Sequence, residues 1–366
     1  MEYNPSNGAD DALPDDASVA HLMGPLAPFL AREDVTDIFV NEPFKVILDT
    51  NEGIEKHDAP ELSFATLMGL ANAIAIFTGQ NIEAATPILS AMLPGGERIQ
   101  AVIPPAVPNG TVSLTIRIPK PDLFTMDQYV QAGLFKEVRW ITPKNFEARV
   151  DDLSRVDRNL SELLKKREYA KFFTDAVRSR KNIAIVGDTG SGKTTFMKTI
   201  SQFIPENDRI LTIEDVRELH LGEGRNKVHL QYSKGGQGVA RITPADLLAS
   251  TMRMKPDRIL LAELRGGEAY DFLNLLTTGH AGSITSYHAD SPALAFERFA
   301  LMARENPQAV AYSEAALRRL VLLTIDVIAH VTAEWIFDDA GKVIGKKRYM
   351  TQIYFDPLRK QEVAFE

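Results

Sequence analysis

Nineteen residues, NIAIVGDTGSGKTTFMKTI (182–200), constrain the fold more than any other part of the chain. Ile183 to Val186 is a short apolar run of the kind that fills the middle of a parallel sheet covered on both faces. Gly187-Asp188-Thr189-Gly190-Ser191-Gly192-Lys193-Thr194 follows, and Thr195 with FMKTISQF continues as a helix. Strand, glycine-rich turn and helix in this order form an α/β unit, and they match the phosphate-loop pattern in the context that pattern requires. The glycines allow successive backbone N–H groups to turn inward around a polyphosphate, to which Lys193 adds positive charge. Thr194 presents a hydroxyl to Mg²⁺, and the helix N-terminus adds its dipole. Gly187, Asp188, Thr189, Gly190, Ser191, Gly192, Lys193, Thr194 and Thr195 are therefore the expected nucleotide-binding residues.

Such a loop needs carboxylates, and two strand-like runs supply them. RILTIED (209–215) ends in Glu214-Asp215, and DRILLAELRGGEAYD (257–271) carries the apolar run Ile259 to Ala262 and then Glu263. In open parallel sheets the ligand sits at the carboxyl ends of the strands, so acids emerging there can reach a metal and an attacking water. Thr194, Asp215 and Glu263 are the candidate Mg²⁺ ligands. A third cluster, TTGHAGSITSYHADSP (277–292), carries His280 and His288. Two histidines without another ligand type at metal spacing do not make a zinc site.

A length of 366 residues suggests two domains at the usual ~150 residues each. Lys plus Arg is 41 against 49 for Asp plus Glu, a net charge of −8, so no global positive field draws this chain onto polyanions. The absence of cysteine removes disulfides, thiolate metal sites and cysteine nucleophiles together. Leu320 to Val331 is the longest apolar-looking stretch, but Thr324, Asp326 and His330 interrupt it and it falls short of the ~20 residues of a membrane span. A cytoplasmic protein, peripheral to a membrane at most, is expected.

Residues 1–24 read as a disordered acidic lead. A smaller α+β domain is expected over 25–141. TDIFVN (36–41) and KVILDT (45–50) form an antiparallel unit there, a helix runs over 63–80 from a Ser63 cap, and two strands, 98–105 and 111–119, flank Asn109-Gly110. The polar, mixed-charge stretch 142–160 reads as a linker, and a helix over 161–180 opens the second domain, 161–366.

GDTGSGKTT, IEDVREL (213–219), MKPDRILLAELRGGEA (254–269) and TGHAGSITSYHA (278–289), in this order, resemble the four boxes of the secretion ATPase superfamily. PILSAMLPGGERIQAVIPPA, GTVSLTIRIP and GLFKEVR extend the likeness to roughly residues 25–335 and point to the traffic ATPases of type IV secretion and conjugation systems. Ala262 stands where many relatives have Gly, and the tetracysteine module of type II relatives is absent.

The resemblance implies a RecA-like P-loop motor domain with a parallel-rich sheet, preceded by the α+β domain, within a homohexamer. It places Lys193 and Thr194 on phosphate and Mg²⁺, Glu263 and Glu214 in water activation or metal positioning, and His288 near the γ-phosphate as a sensor. Arg117 and Arg139 become N-terminal-domain arginines reaching the nucleotide, with Arg241 and Arg253 as further candidates. The implied activity is Mg²⁺-dependent ATP hydrolysis that powers translocation or pilus assembly at the cytoplasmic face of a bacterial inner membrane. Its implied partners are other ATPases and inner-membrane subunits of the apparatus, with DNA or protein cargo met indirectly. Two rivals remain. One is a pilus-retraction motor of the same superfamily. The other is a nucleotide-switched scaffold or nucleic-acid-binding module, supported by the basic stretches Lys165 to Arg167 and Lys346 to Arg348 and opposed by the strand-end acids.

Overall fold

The computed structural model describes residues 16–50, 52–118, 123–232, 242–339, 341 and 343–365. Among the described residues the chain divides into two compact units, 16–118 and 123–365.

The first unit is built on a six-stranded sheet in the order β3-β2-β1-β6-β5-β4, comprising β1 (Val35–Val40), β2 (Lys45–Thr50), β3 (Gly53–Asp58), β4 (Ile88–Met92), β5 (Arg98–Val102) and β6 (Ser113–Arg117). Every pairing in it is antiparallel. Alternation sends Ile38, Val46, Leu48, Leu89, Ile99, Leu114 and Ile116 into one core, where Leu67, Leu70 and Ile74 of the helix Phe64–Phe77 meet them. The Ser63 side chain caps that helix by accepting from the Thr66 N–H, as the sequence suggests. Of the expected acidic lead, residues 1–15 lie outside the described ones. The rest is ordered: Ala17–Met23 is a helix that buries Val19 and Met23 in this core.

The second unit carries an eight-stranded sheet in the order β10-β9-β11-β12-β8-β13-β14-β7. Its strands are β7 (Arg139–Ile141), β8 (Ile183–Val186), β9 (Ile210–Glu214), β10 (Lys227–Gln231), β11 (Arg258–Leu261), β12 (Ile284–Tyr287), β13 (Val327–Phe337) and β14 (Val343–Phe355). From β10 to β13 the strands are parallel, and β14 returns antiparallel to β13. β8, β11 and β12 are buried along their whole length because both faces are covered. Ile183 and Ile185 face Phe196, Met197 and Ile200 of the helix Lys193–Ser201, while Ala184 and Val186 face Phe272, Phe299 and Val321 on the other side.

The expected linker at 142–160 belongs to this second unit. β7 pairs in parallel with β14, and Phe146, Leu153 and Leu160 are buried, so the few apolar residues of a polar stretch each find a core. The expected single helix over 161–180 is two helices, Arg155–Lys165 and Tyr169–Arg178, the first capped by Ser154. Arg167 breaks them with φ of 59°, a left-handed conformation that a helix cannot pass through. No helix among the described residues is long and apolar enough to cross a membrane.

Candidate active site at the carboxyl edge of the parallel strands

β8 leads directly into the phosphate loop. Gly187 has φ of +146°, and a Cβ there would lie 1.8 Å from the backbone oxygen of Val331 on β13. Any side chain would separate these two strands, so the residue is glycine for close packing as much as for its dihedral. Gly190 and Gly192 also take left-handed φ values, and the helix Lys193–Ser201 begins at Gly192 without a side-chain cap. The loop and uncapped helix start together form an anion-binding concavity.

Lys193 lies within this loop, nearly buried, its Nζ donating to the carbonyl oxygens of Gly187 and Asp188 at 2.8 Å each. Burial pushes its ammonium down to about 8, against the pull of Glu263 and Asp188. A cation held in desolvated surroundings mainly by carbonyls gains charge compensation when an anion enters. Ser191 is buried and fixes the turn by donating to the Asp188 carbonyl at 2.8 Å. Thr194 and Thr195, half-buried, form the first helical turn. Asp188, Thr189 and Gly190 are exposed.

The parallel strands bring the second half of the site to the same edge. Glu263 follows β11 by one residue after Ala262, and His288 follows β12. His288 Nε2 lies 3.2 Å from Glu263 Oε1, while Arg265 Nη2 donates to Glu263 Oε2 at 2.6 Å. Arg265 Nη1 also stands 3.3 Å from Asp215 Oδ2, so one guanidinium joins the acids that end two strands. Burial works against the Arg265 charge, but Glu263 and Asp215 together hold it above the ordinary arginine range. Glu268 Oε1 accepts from the Arg265 and Gly266 N–H groups at 2.7 and 3.0 Å, which anchors the backbone behind the guanidinium. Glu263, Leu264, Arg265, His288, Arg298 and Met302 line a cleft of ≈ 370 Å³.

The remaining expected residues separate into groups. Glu214 is buried, with Oε1 accepting from the Glu218 and Leu219 N–H groups and Oε2 from the Thr212 hydroxyl. Its carboxylate therefore holds the turn after β9, and Asp215 is the acid of that pair that joins Arg265. The His280 backbone oxygen accepts from the Ser283 hydroxyl at 3.0 Å. Arg117 sits on β6 of the first unit, half-exposed, with Nε donating to Asp37 at 2.9 Å. Arg139, expected in the N-terminal domain, lies instead on β7 in the second unit, exposed and three strands from β8. Arg253 is exposed after the helix Pro244–Thr251, and Arg241 lies outside the described residues. Arg265 and Glu268 were not singled out from the sequence, although a cation two places after the strand-end acid was the signal available. The basic stretches also find acidic partners: Lys165 pairs with Glu147, and Lys347 with Glu137.

Comparison with known proteins gives one consistent picture. The family model described as "Type II/IV secretion system protein" matches residues 23–328. The type IV secretion system protein VirB11 of Brucella suis biovar 1 is 41% identical over 369 aligned positions, covering 99% of this chain and 98% of that protein. The crystal structure of the VirB11 ATPase from the Brucella suis type IV secretion system, in complex with sulphate, matches at 40% identity with a TM-score of 0.52, covering 96% of this chain and 98% of the other. The Legionella pneumophila ATPase DotB, at 17% identity and TM-score 0.58 over 97% of this chain and 85% of the other, shares the fold. The chain therefore belongs to the type II/IV secretion system family and, within it, to the VirB11-like ATPases of type IV secretion systems.

Proposed function

We propose that this ATPase works with Mg²⁺ as a homohexamer at the cytoplasmic face of the inner membrane, and that its turnover powers substrate translocation, pilus assembly or both. The observation that carries the chemical part is the engagement of both Glu263 oxygens, by Arg265 on one and His288 on the other, at the sheet edge from which the Lys193 loop emerges. Arg265 orients the Glu263 carboxylate by donating to Oε2, so that the acid can take a proton from an attacking water. His288, on the other oxygen, is placed to respond to the charge of that carboxylate. Lys193 offers its ammonium to phosphate oxygens in place of the two loop carbonyls.

The Thr194 hydroxyl and the Asp215 and Glu263 carboxylates are hard oxygen donors, the set that suits Mg²⁺, and we assign them to the metal. When bound, that ion supplies Lewis-acid polarisation of phosphoryl oxygens. Glu214 supports this set by holding the turn that carries Asp215. Arg117 stays assigned to the nucleotide by family resemblance, and Arg241 with it, whereas Arg139, on β7 of the second unit, does not hold the N-terminal-domain place that the resemblance gave it. Other ATPases and inner-membrane subunits of the apparatus are the partners, with DNA or protein cargo reached through them. A mass measurement of the intact assembly with Mg²⁺ and ATP is expected to give six copies of the chain, and chelation by EDTA to stop phosphate release. A monomer that turns over ATP, or turnover indifferent to EDTA, contradicts the proposal.

The depressed Lys193 ammonium gives a pH dependence with a definite sign. The charged form binds the anion, so affinity for ADP stays level below about 8 and falls above it, by up to ~10-fold per pH unit. Titration of ADP into the protein between about pH 7 and 9.5 checks this. An affinity that does not change across that range, which spans the point where an ammonium depressed by burial loses its proton, contradicts it.

A further inference from the structure

The basic stretch Lys346 to Arg348, which the sequence offered to a nucleic acid, lies against the phosphate loop instead. β13 pairs with β8 as far as His330 opposite Val186, then continues to Phe337, and β14 returns from Val343. The hairpin therefore rises past the carboxyl edge of the sheet beside the loop. Cross-strand pairs Val331 with Met350, Ala333 with Arg348 and Trp335 with Lys346 fall on one face. Val331 and Met350 share a core with Phe196 and Met197 of the phosphate-loop helix, so this is the face on which the loop sits.

Arg348 and Lys346 extend that face upward. Arg348 Nε donates to the Gly190 carbonyl at 3.2 Å, and a Cβ on Gly192 would lie 3.4 Å from Arg348 Cδ. A Cβ on Gly190 would lie 3.1 Å from Lys346 Nζ, which itself stands over the Trp335 ring, 4.7 Å from its centroid. Lys347, one position over, points to the opposite face and pairs with Glu137. Arg348 is exposed, and among the described residues no carboxylate pairs with it.

Strand order then fixes a polarity. Glu263 and His288, which serve the terminal phosphate in the reading above, end β11 and β12 on one side of β8. β13 and β14 lie on the other side. A polyphosphate seated in the loop with its terminal group toward Glu263 directs its nucleoside end toward the hairpin. We propose that Arg348, with Lys346 beside it, binds the nucleoside-proximal phosphate of the nucleotide. Arginine suits this task because its fork of donors bonds to phosphate oxygens while Nε stays on Gly190.

This inference rests on the assignment of the loop as the nucleotide site, and the experiment separates the two. Binding of ADP to the full chain is measured without metal, by calorimetry, for the wild type, Lys193→Ala, Arg348→Ala and Arg348→Lys. Arg348→Ala is expected to weaken binding at least ~10-fold, as loss of a charge-assisted contact does, at an unchanged melting temperature, with Arg348→Lys recovering part of it. If Lys193→Ala binds ADP like the wild type, the loop assignment itself fails. If Lys193→Ala loses ADP while Arg348→Ala binds normally, only the present inference is overturned, and a parallel loss of single-stranded DNA binding in Arg348→Ala would return the stretch to a nucleic acid. Weaker binding that comes with a lower melting temperature and no recovery in Arg348→Lys marks a loop-holding role and also overturns it.

Discussion

Lys193→Ala is expected to lower ATP turnover at least ~10²-fold while leaving the fold intact. The lysine is the only cation within the loop, and its Nζ contacts are two backbone carbonyls, neither of which it holds against a charge. Its removal takes a desolvated ammonium out of a nearly buried position, so no folding contact of consequence goes with it. Steady-state phosphate release and thermal unfolding of the nucleotide-free protein check the two halves of the expectation. Retention of more than about a tenth of wild-type turnover, where loss of such a charge usually costs ~10²-fold or more, contradicts the loop as the active site.

Glu263→Gln is expected to keep nucleotide binding and slow hydrolysis ~10²- to 10⁴-fold, the range of a lost general base. The amide retains the size and the hydrogen-bonding oxygen of the acid but not its charge, so Arg265 keeps Asp215 as its remaining ionic partner. ATP then accumulates on the protein without cleavage, which bound-nucleotide analysis after gel filtration reads directly. If Glu214→Gln stops the chemistry while Glu263→Gln leaves it intact, the roles of the two strand-end acids are reversed. The structure argues against that outcome, because the Glu214 oxygens already accept from three protein donors.

What was legible in the sequence is what local chain chemistry determines. The phosphate loop is readable because its glycine dihedrals, its strand and its helix lie within one continuous segment. Glu263 and His288 are readable because each follows a short apolar run whose end must lie at the ligand edge of a parallel sheet. The choice between Glu214 and Asp215 is not, since adjacent residues at a strand end face opposite ways and only the finished turn decides which reaches Arg265. β3 escaped notice for a related reason: in Gly53–Asp58 alternate residues are exposed and Ile54 is the only aliphatic side chain. Contacts between distant segments were also invisible. The pairing of Arg139–Ile141 with Gln352–Tyr354 moves the unit boundary forward, and the approach of Arg348 to Gly190 joins residues 158 positions apart.

The central claim is that the edge formed by the Lys193 loop, Glu263 and His288 cleaves ATP and does not merely bind it. Single-turnover mixing of the purified chain with radiolabelled ATP and Mg²⁺ tests it most directly. Conversion of bound ATP to ADP and phosphate at a rate at least equal to the steady-state turnover, abolished in Lys193→Ala, is the expected result. Tight binding of ATP with no phosphate formed, in the wild type and in the presence of Mg²⁺, would contradict it.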